Sequence, residues 1–89
     1  MPDLRDLLPG QEIEADLALR EKRGIAPYQS GYFYRLVLGN RTGEVPAKVW
    51  LGPDEAAVRA GYETLDPGQV LRVTARVSEY RGQLELSME

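Results

Sequence analysis

The sequence predicts an all-β fold, a small five-stranded barrel with one short helix between its third and fourth strands. Three observations predict it. Apolar and polar residues alternate with a period of two in five separate segments. One stretch, near 53–62, joins helix-start chemistry to helical spacing of its apolar residues. Five half-apolar strands in 89 residues cannot each bury one face unless the sheet curls and closes.

Each element follows from its residues. Positions 1–10 form a lead-in that ends in the turn Leu7-Leu8-Pro9-Gly10. Strand one is expected over 12–23, where Ile13, Ala15, Leu17 and Leu19 alternate with Glu12, Glu14, Asp16 and Ala18. Gly24, Pro27 and Gly31 punctuate the stretch 21–31, which reads as a long loop with bases at its entry and Tyr28 at its centre. Strand two, over 32–40, opens with Tyr32-Phe33-Tyr34 and is dense in aromatic and β-branched residues. Asn40-Arg41-Thr42-Gly43 turns the chain into strand three over 44–51. Pro46 there removes a ladder donor and predicts a bulge or a free edge.

Pro53 at the first helical position, followed by Asp54 and Glu55 at the positive end of the dipole, starts the helix. Ala57, Val58, Gly61, Tyr62 and Leu65 make its apolar face, set to plug one end of the barrel, and Asp66-Pro67-Gly68 ends it. Strand four spans 69–79 through Leu71, Val73, Ala75 and Val77. A tight Arg81-Gly82 turn leads to strand five over 83–88. This order of strands and helix is that of the OB fold, a five-stranded Greek-key barrel.

Composition narrows the chemistry. The whole chain reads as one domain, too small for a large catalytic cavity. It has no cysteine and no histidine, which removes thiolate and imidazole metal ligands and Ser–His or Cys–His nucleophiles. Gly39-Asn40-Arg41-Thr42-Gly43 lacks the Lys-Ser/Thr of a phosphate-cradling P-loop. Glu12, Glu14 and Asp16 share one strand face, which reads as a solvated acidic surface. We therefore expect no catalytic residue, metal or cofactor. No apolar run is long enough to span a membrane, and Met1-Pro2-Asp3-Leu4-Arg5 does not open a secretory signal, which fits a cytoplasmic protein.

The net charge is −3, yet positions 20–48 hold six bases against two acids. A chain that is acidic overall can still focus a basic stripe on one face. Strand parity points Tyr34, Leu36, Leu38, Val45, Ala47 and Val49 inward, leaving Phe33, Arg35, Val37, Lys48 and Trp50 outside. Aromatic platforms interleaved with cations are what a single-stranded nucleic acid requires. The alternative is that Trp50 folds against the helix and Phe33 under the long loop, with Arg35 and Lys48 as surface decoration.

Leu7-Leu8-Pro9-Gly10, the run YFYRLVLGNRTGEVPAKVW, the Gly68-Gln69-Val70 start and the Tyr80-Arg81-Gly82-Gln83-Leu84 hairpin resemble one family over nearly the whole chain. It is the nucleic-acid-binding OB domain of the tRNA-anticodon type, and the chain is most similar to the N-terminal domain of HD-domain 3′–5′ exoribonucleases, the CMP-binding-factor family. The markers are Asn40, where aspartate is usual, with Thr42 and Gly43; then Val45, Ala47, Val49 and Trp50; then Tyr80 and Gly82. The resemblance implies an accessory module, N-terminal in a longer protein, beside a metal-binding HD-type catalytic domain that this chain does not include.

The expected function is binding of single-stranded RNA or DNA, with RNA favoured by the resemblance. Phe33 and Trp50 would stack bases, and Arg35 and Lys48 would meet phosphates. Arg20, Lys22, Arg23 and Tyr28 would reach in from the first loop, and Tyr80 and Arg81 from the last hairpin. The alternative is a protein-interaction or oligomerisation module that docks through the same strand two–three face.

Overall fold

The computed structural model describes residues 3–89; Met1 and Pro2 of the lead-in lie outside the described residues. A 3₁₀ turn, Leu4–Asp6, is followed by β1 (Glu12–Tyr28), β2 (Gly31–Asn40), β3 (Gly43–Trp50), α1 (Glu55–Glu63), β4 (Val70–Tyr80) and β5 (Gln83–Met88). The strands close into a barrel in the order β1-β2-β3-β5-β4, with β4 returning to β1. All neighbouring pairs are antiparallel except β3 with β5.

The period-two alternation does what it predicts. Ile13, Ala15, Leu17 and Leu19 of β1, Leu36 and Leu38 of β2, Val45 and Ala47 of β3, Val73, Ala75 and Val77 of β4, and Leu86 of β5 form one buried core. Both ends of that core are stoppered. Val58 of α1 enters at the end where β2 begins, and the hydroxyl of Tyr34 donates to the Val58 carbonyl at 2.7 Å. At the opposite end Leu4 and Leu7 of the lead-in are buried, and the Leu4 N–H donates to Thr42 Oγ1 at 2.8 Å. Asn40 Oδ1 accepts from the Thr42 N–H, so the Asn40–Thr42 turn holds this second plug in place. The lead-in is thus part of the core as well as a turn.

Three expectations need correction. The stretch 21–31 is not a loop: β1 continues to Tyr28, and only Gln29 and Ser30 turn the chain. Residues 12–18 pair with β4 and residues 18–28 with β2, so one strand bends to serve both sides of the barrel. Its register slips between Leu19 and Glu21 and again between Lys22 and Ile25, one extra residue each time. Gly24, at φ +104°, supplies the second irregularity, and Pro27 lies where β1 has no β4 partner to miss its N–H.

The second correction is at the helix start. Pro53 precedes the helix; Asp54 is the N-cap, its Oδ1 accepting from the Ala57 N–H at 3.1 Å, and Glu55 is the first helical residue. The third concerns Val37. It sits on the outer row between Glu21 and Pro46, yet it is only 6% exposed and so is not a free surface residue. Pro46 itself causes no bulge, because the β2–β3 register is unbroken and the β5 ladder begins one residue later, at Ala47.

Two coupled substitutions test how α1 seats on β2. A Cβ at Gly61 would stand 2.6 Å from Tyr34 Oη but 3.9 Å from Tyr34 Cζ, so the hydroxyl alone obstructs it. Gly61→Ala in the parent is expected to destabilise by about 1 kcal/mol or more, as overpacking does. In a Tyr34→Phe background the same change should stabilise, by up to about 1 kcal/mol of helix propensity. Tyr34→Phe alone should cost about 0.5–1.5 kcal/mol for the lost hydrogen bond.

Burial also raises the Tyr34 pKa above its ordinary 10.0. The neutral phenol is therefore the form the fold prefers, and its stabilisation is complete below pH 10 and lost as pH rises through the folded value. Denaturant melts from pH 8 to 11 should show that alkaline loss in the parent and a flatter profile in Tyr34→Phe.

Candidate nucleic-acid interface

The unbroken β2–β3 register sets the candidate site. Phe33 stands directly opposite Trp50, Arg35 opposite Lys48, and Val37 opposite Pro46. Directly opposed residues point to the same side of a sheet, so an aromatic rung and a cationic rung follow one another up the outer face. Phe33 lies against Tyr28 of the stretch read as a loop, ring centroids 6.1 Å apart, and Trp50 joins the same cluster. Trp50 packs on Phe33 with ring centroids 4.6 Å apart, and Tyr28 meets Trp50 edge-on at 4.8 Å. The Trp50 indole N–H donates to Ser87 Oγ at 2.8 Å, and the Tyr28 hydroxyl donates to the Leu51 carbonyl at 2.8 Å. Three half-buried rings are therefore locked in place before any ligand arrives.

Lys48 links this cluster to the last hairpin. Its Nζ lies 4.7 Å from the centre of the Tyr80 ring, 5.7 Å from Phe33 and 5.9 Å from Trp50. Tyr80 remains 55% exposed, and the Arg81 guanidinium lies 5.2 Å from its centroid. Arg81, at φ 53°, and Gly82, at φ 78°, form the tight turn that presents both side chains. Arg35 Nη2 donates to the Arg23 carbonyl at 2.9 Å. Arg23, Arg35 and Lys48 line a hollow of about 110 Å³ floored by Leu36, Pro46 and Ala47.

The structure thus brings together Tyr28, Phe33, Trp50, Lys48, Tyr80 and Arg81, with Arg23 and Arg35 alongside. It does not bring Lys22. That side chain lies on the helix side of the sheet, its Nζ 4.3 Å from the Tyr62 ring centre. The slip after Leu19 is the cause, because it reverses the parity until the second slip, before Ile25, restores it, and Lys22 falls between the two, opposite inward-facing Leu36. Arg20, the extra residue of that slip, covers Gly39 at the far end of the outer row.

Two residues of the site went unnoticed in the sequence. Glu85 of β5 lines the same hollow and holds Lys48 Nζ at 3.2 Å, with the two side chains only 16% and 23% exposed. Ser87, paired with Lys48 in the parallel β3–β5 ladder, anchors Trp50. Strand parity places both on the outer face, but which strand lies beside β3 is not a local property of either segment.

No known protein family's profile matches the chain. It is similar to the 3′–5′ exoribonuclease YhaM of Oceanobacillus iheyensis, at 29% identity over 79 residues, covering 89% of this chain and 23% of that protein. The 3′–5′ exoribonuclease YhaM of Halalkalibacterium halodurans is 26% identical over 80 residues, again 23% of its length. The chain is distantly similar to a small part of an exoribonuclease. It spans less than a quarter of the curated relatives it matches.

The opposite side of the barrel is different in kind. Arg72 bridges Glu14 at 2.7 Å and Asp16 at 3.3 Å, and Arg76 meets Glu12 at 3.5 Å. Glu12, Glu14 and Asp16 are thus paired with cations across the β1–β4 ladder, in exposed bridges that contribute little to stability. Among the described residues no three His, Cys, Asp or Glu side chains are grouped to hold a metal ion. Also among them, no helix is long and apolar enough to cross a membrane.

Ser87→Ala tests the pre-set indole. It should cost no more than about 1 kcal/mol of stability. Near-ultraviolet circular dichroism should weaken at the tryptophan band, because Trp50 loses its hydrogen-bonded anchor outside the ring cluster. An unchanged band would mean that Tyr28 and Phe33 hold the ring without help.

Proposed function

We propose that this chain is an OB-type module that binds single-stranded nucleic acid, RNA in preference to DNA. In a longer cytoplasmic protein it would serve as the accessory substrate-binding domain beside a separate HD-type catalytic domain. The observation that carries this reading is the paired ladder on the outer face, the Phe33–Trp50 rung followed by the Arg35–Lys48 rung. Bases stack on aromatic faces regardless of sequence, while the phosphates between them need cations at the next rung. Tyr28 and Tyr80 extend the platform, and Arg23, Arg35 and Arg81 supply positive charge around it. Arg20 extends that charge along the strand, and Lys22 would engage only a strand that wraps toward the helix. The similarity to part of 3′–5′ exoribonucleases favours RNA as the ligand.

One observation favours the second reading, a protein-docking face. The rings pack on one another and the charge of Lys48 is met by Glu85, which resembles the charge-poor centre of a protein interface. Oligonucleotide titration separates the two. Trp50 is the chain's single tryptophan, so its fluorescence reports on the site directly. Oligo-U should quench it, more tightly than oligo-dT does.

Trp50→Phe keeps a ring and should bind nearly as the parent, followed by anisotropy of labelled oligo-U. Trp50→Ala should lose about 1–3 kcal/mol at every salt concentration. Arg35→Ala should reduce the log–log salt slope by about 0.7. Arg72→Ala, on the acid-paired face, should change neither. Parent-like binding by folded Trp50→Ala and Arg35→Ala would remove the hairpin face as the nucleic-acid site and leave the docking reading. The chain alone should release no nucleotides from oligo-U with Mg²⁺ or Mn²⁺, and metal-dependent trimming traced to it would refute the accessory role.

A further inference from the structure

We propose that the hollow beside Lys48 receives the Watson–Crick edge of a guanine, and that Glu85 is the residue that selects it. The inference rests on the single-strand reading above and deepens it from general binding to base preference. Arg23, Arg35 and Lys48 line this hollow, yet a phosphate gains less there than three cations suggest. Glu85 lines it too, is only 16% exposed, and already holds Lys48 Nζ at 3.2 Å, so an incoming anion meets a like charge and one cation already engaged. A neutral base edge meets no such repulsion.

The pair defines what that edge must carry. An ionised carboxylate only accepts hydrogen bonds, at about four lone-pair sites, and an ammonium only donates. Lys48 approaches one Glu85 oxygen, leaving acceptor capacity on both. The complementary edge has two adjacent N–H donors for the carboxylate and a carbonyl beside them for the ammonium. Guanine has this arrangement in N1–H, the 2-amino group and O6. Uracil has one N–H between two carbonyls. Adenine and cytosine each set an amino group next to a bare ring nitrogen, which would face the second carboxylate oxygen.

The means of holding such a base lie within reach. The same Nζ that meets Glu85 is 4.7 Å from the Tyr80 ring centre and under 6 Å from both Phe33 and Trp50, at 5.7 and 5.9 Å. Single-strand readers combine a stacked face with hydrogen bonds to the Watson–Crick edge of the same base. Here the stacking rings and the edge-reading pair share one lysine.

The test is an anisotropy titration of the full chain with labelled U-tracts of about ten nucleotides, within the span one such fold covers. The central position carries guanine, inosine, adenine, cytosine or uracil. The parent should bind the guanine oligonucleotide about tenfold more tightly than all-U, as a good bidentate base contact does. Inosine, which lacks only the 2-amino group, should fall back to the all-U level. Glu85→Gln should lose the guanine preference, binding the guanine and all-U oligonucleotides alike. Equal binding of the five by the parent, inosine matching guanine, or a preference that survives Glu85→Gln would each overturn the proposal. The inosine comparison decides without any variant, should Glu85→Gln fold poorly. If the parent binds none of the oligonucleotides, the single-strand reading itself falls; binding without preference removes only the guanine site.

Discussion

Closure of the barrel through β1 is the constraint on which the rest of the molecule depends. A five-stranded sheet this small leaves two edges unless its two end strands, here β1 and β4, pair with each other. Strand β1 thus pairs with β4 along residues 12–18 and with β2 along residues 18–28. Bending one strand between two partners requires extra residues on the outside of the bend, and the slips at Arg20 and near Gly24 supply them. Those slips, in turn, decide which side chains of residues 20–28 reach which face. Tyr28 arrives at the aromatic cluster and Lys22 at the helix.

With the ring of strands closed, the ends are what remain to be sealed. Val58 and Leu4 with Leu7 do this from opposite directions, each tied by a hydrogen bond to β2 or the turn that follows it. Because α1 seals the end where β2 begins, it leaves the outer face of β2 and β3 uncovered. The aromatic and cationic rungs stay reachable from outside for that reason, Arg35 exposed and Phe33, Lys48 and Trp50 half-buried. The same topology sets β5 parallel to β3, which brings Ser87 and Glu85 to the edge of the face. One of them orients the tryptophan and the other engages the lysine. The face is thus a composite of all five strands, with rings from β1, β2, β3 and β4 and a polar rim on β5. Charge is divided in the same way, with Glu12, Glu14 and Asp16 held by Arg72 and Arg76 on the far side.

Much of this was legible in the residues. Alternation from Ile13 to Leu19, from Tyr34 to Leu38 and from Val73 to Val77 reports burial, because a half-buried strand admits no other pattern. The Asn40–Gly43 and Arg81–Gly82 turns were legible because few residues tolerate the backbone angles involved. Once β2 and β3 were recognised as a hairpin, parity and turn length sufficed to set Phe33 and Trp50, and Arg35 and Lys48, on one side. Gly24 and Pro27 misled, since in sequence they mark a loop and in the barrel they mark a bend in a paired strand. The lead-in misled in the same way: Leu4 and Leu7 show no period, and only the open end of the barrel makes them core.

By itself, then, the sequence determined which segments are strands, which faces of them are apolar, and that the central hairpin carries rings and cations together. Those properties are local, resting on spacing along the chain and the angles single residues accept. Tertiary structure alone decided that β1 bends at Arg20 and Gly24, that Lys22 leaves the site, and that Glu85 and Ser87 join it. Each depends on which strands become neighbours. That choice is set by closing the sheet with both ends sealed, a condition on the whole chain that no window of residues contains.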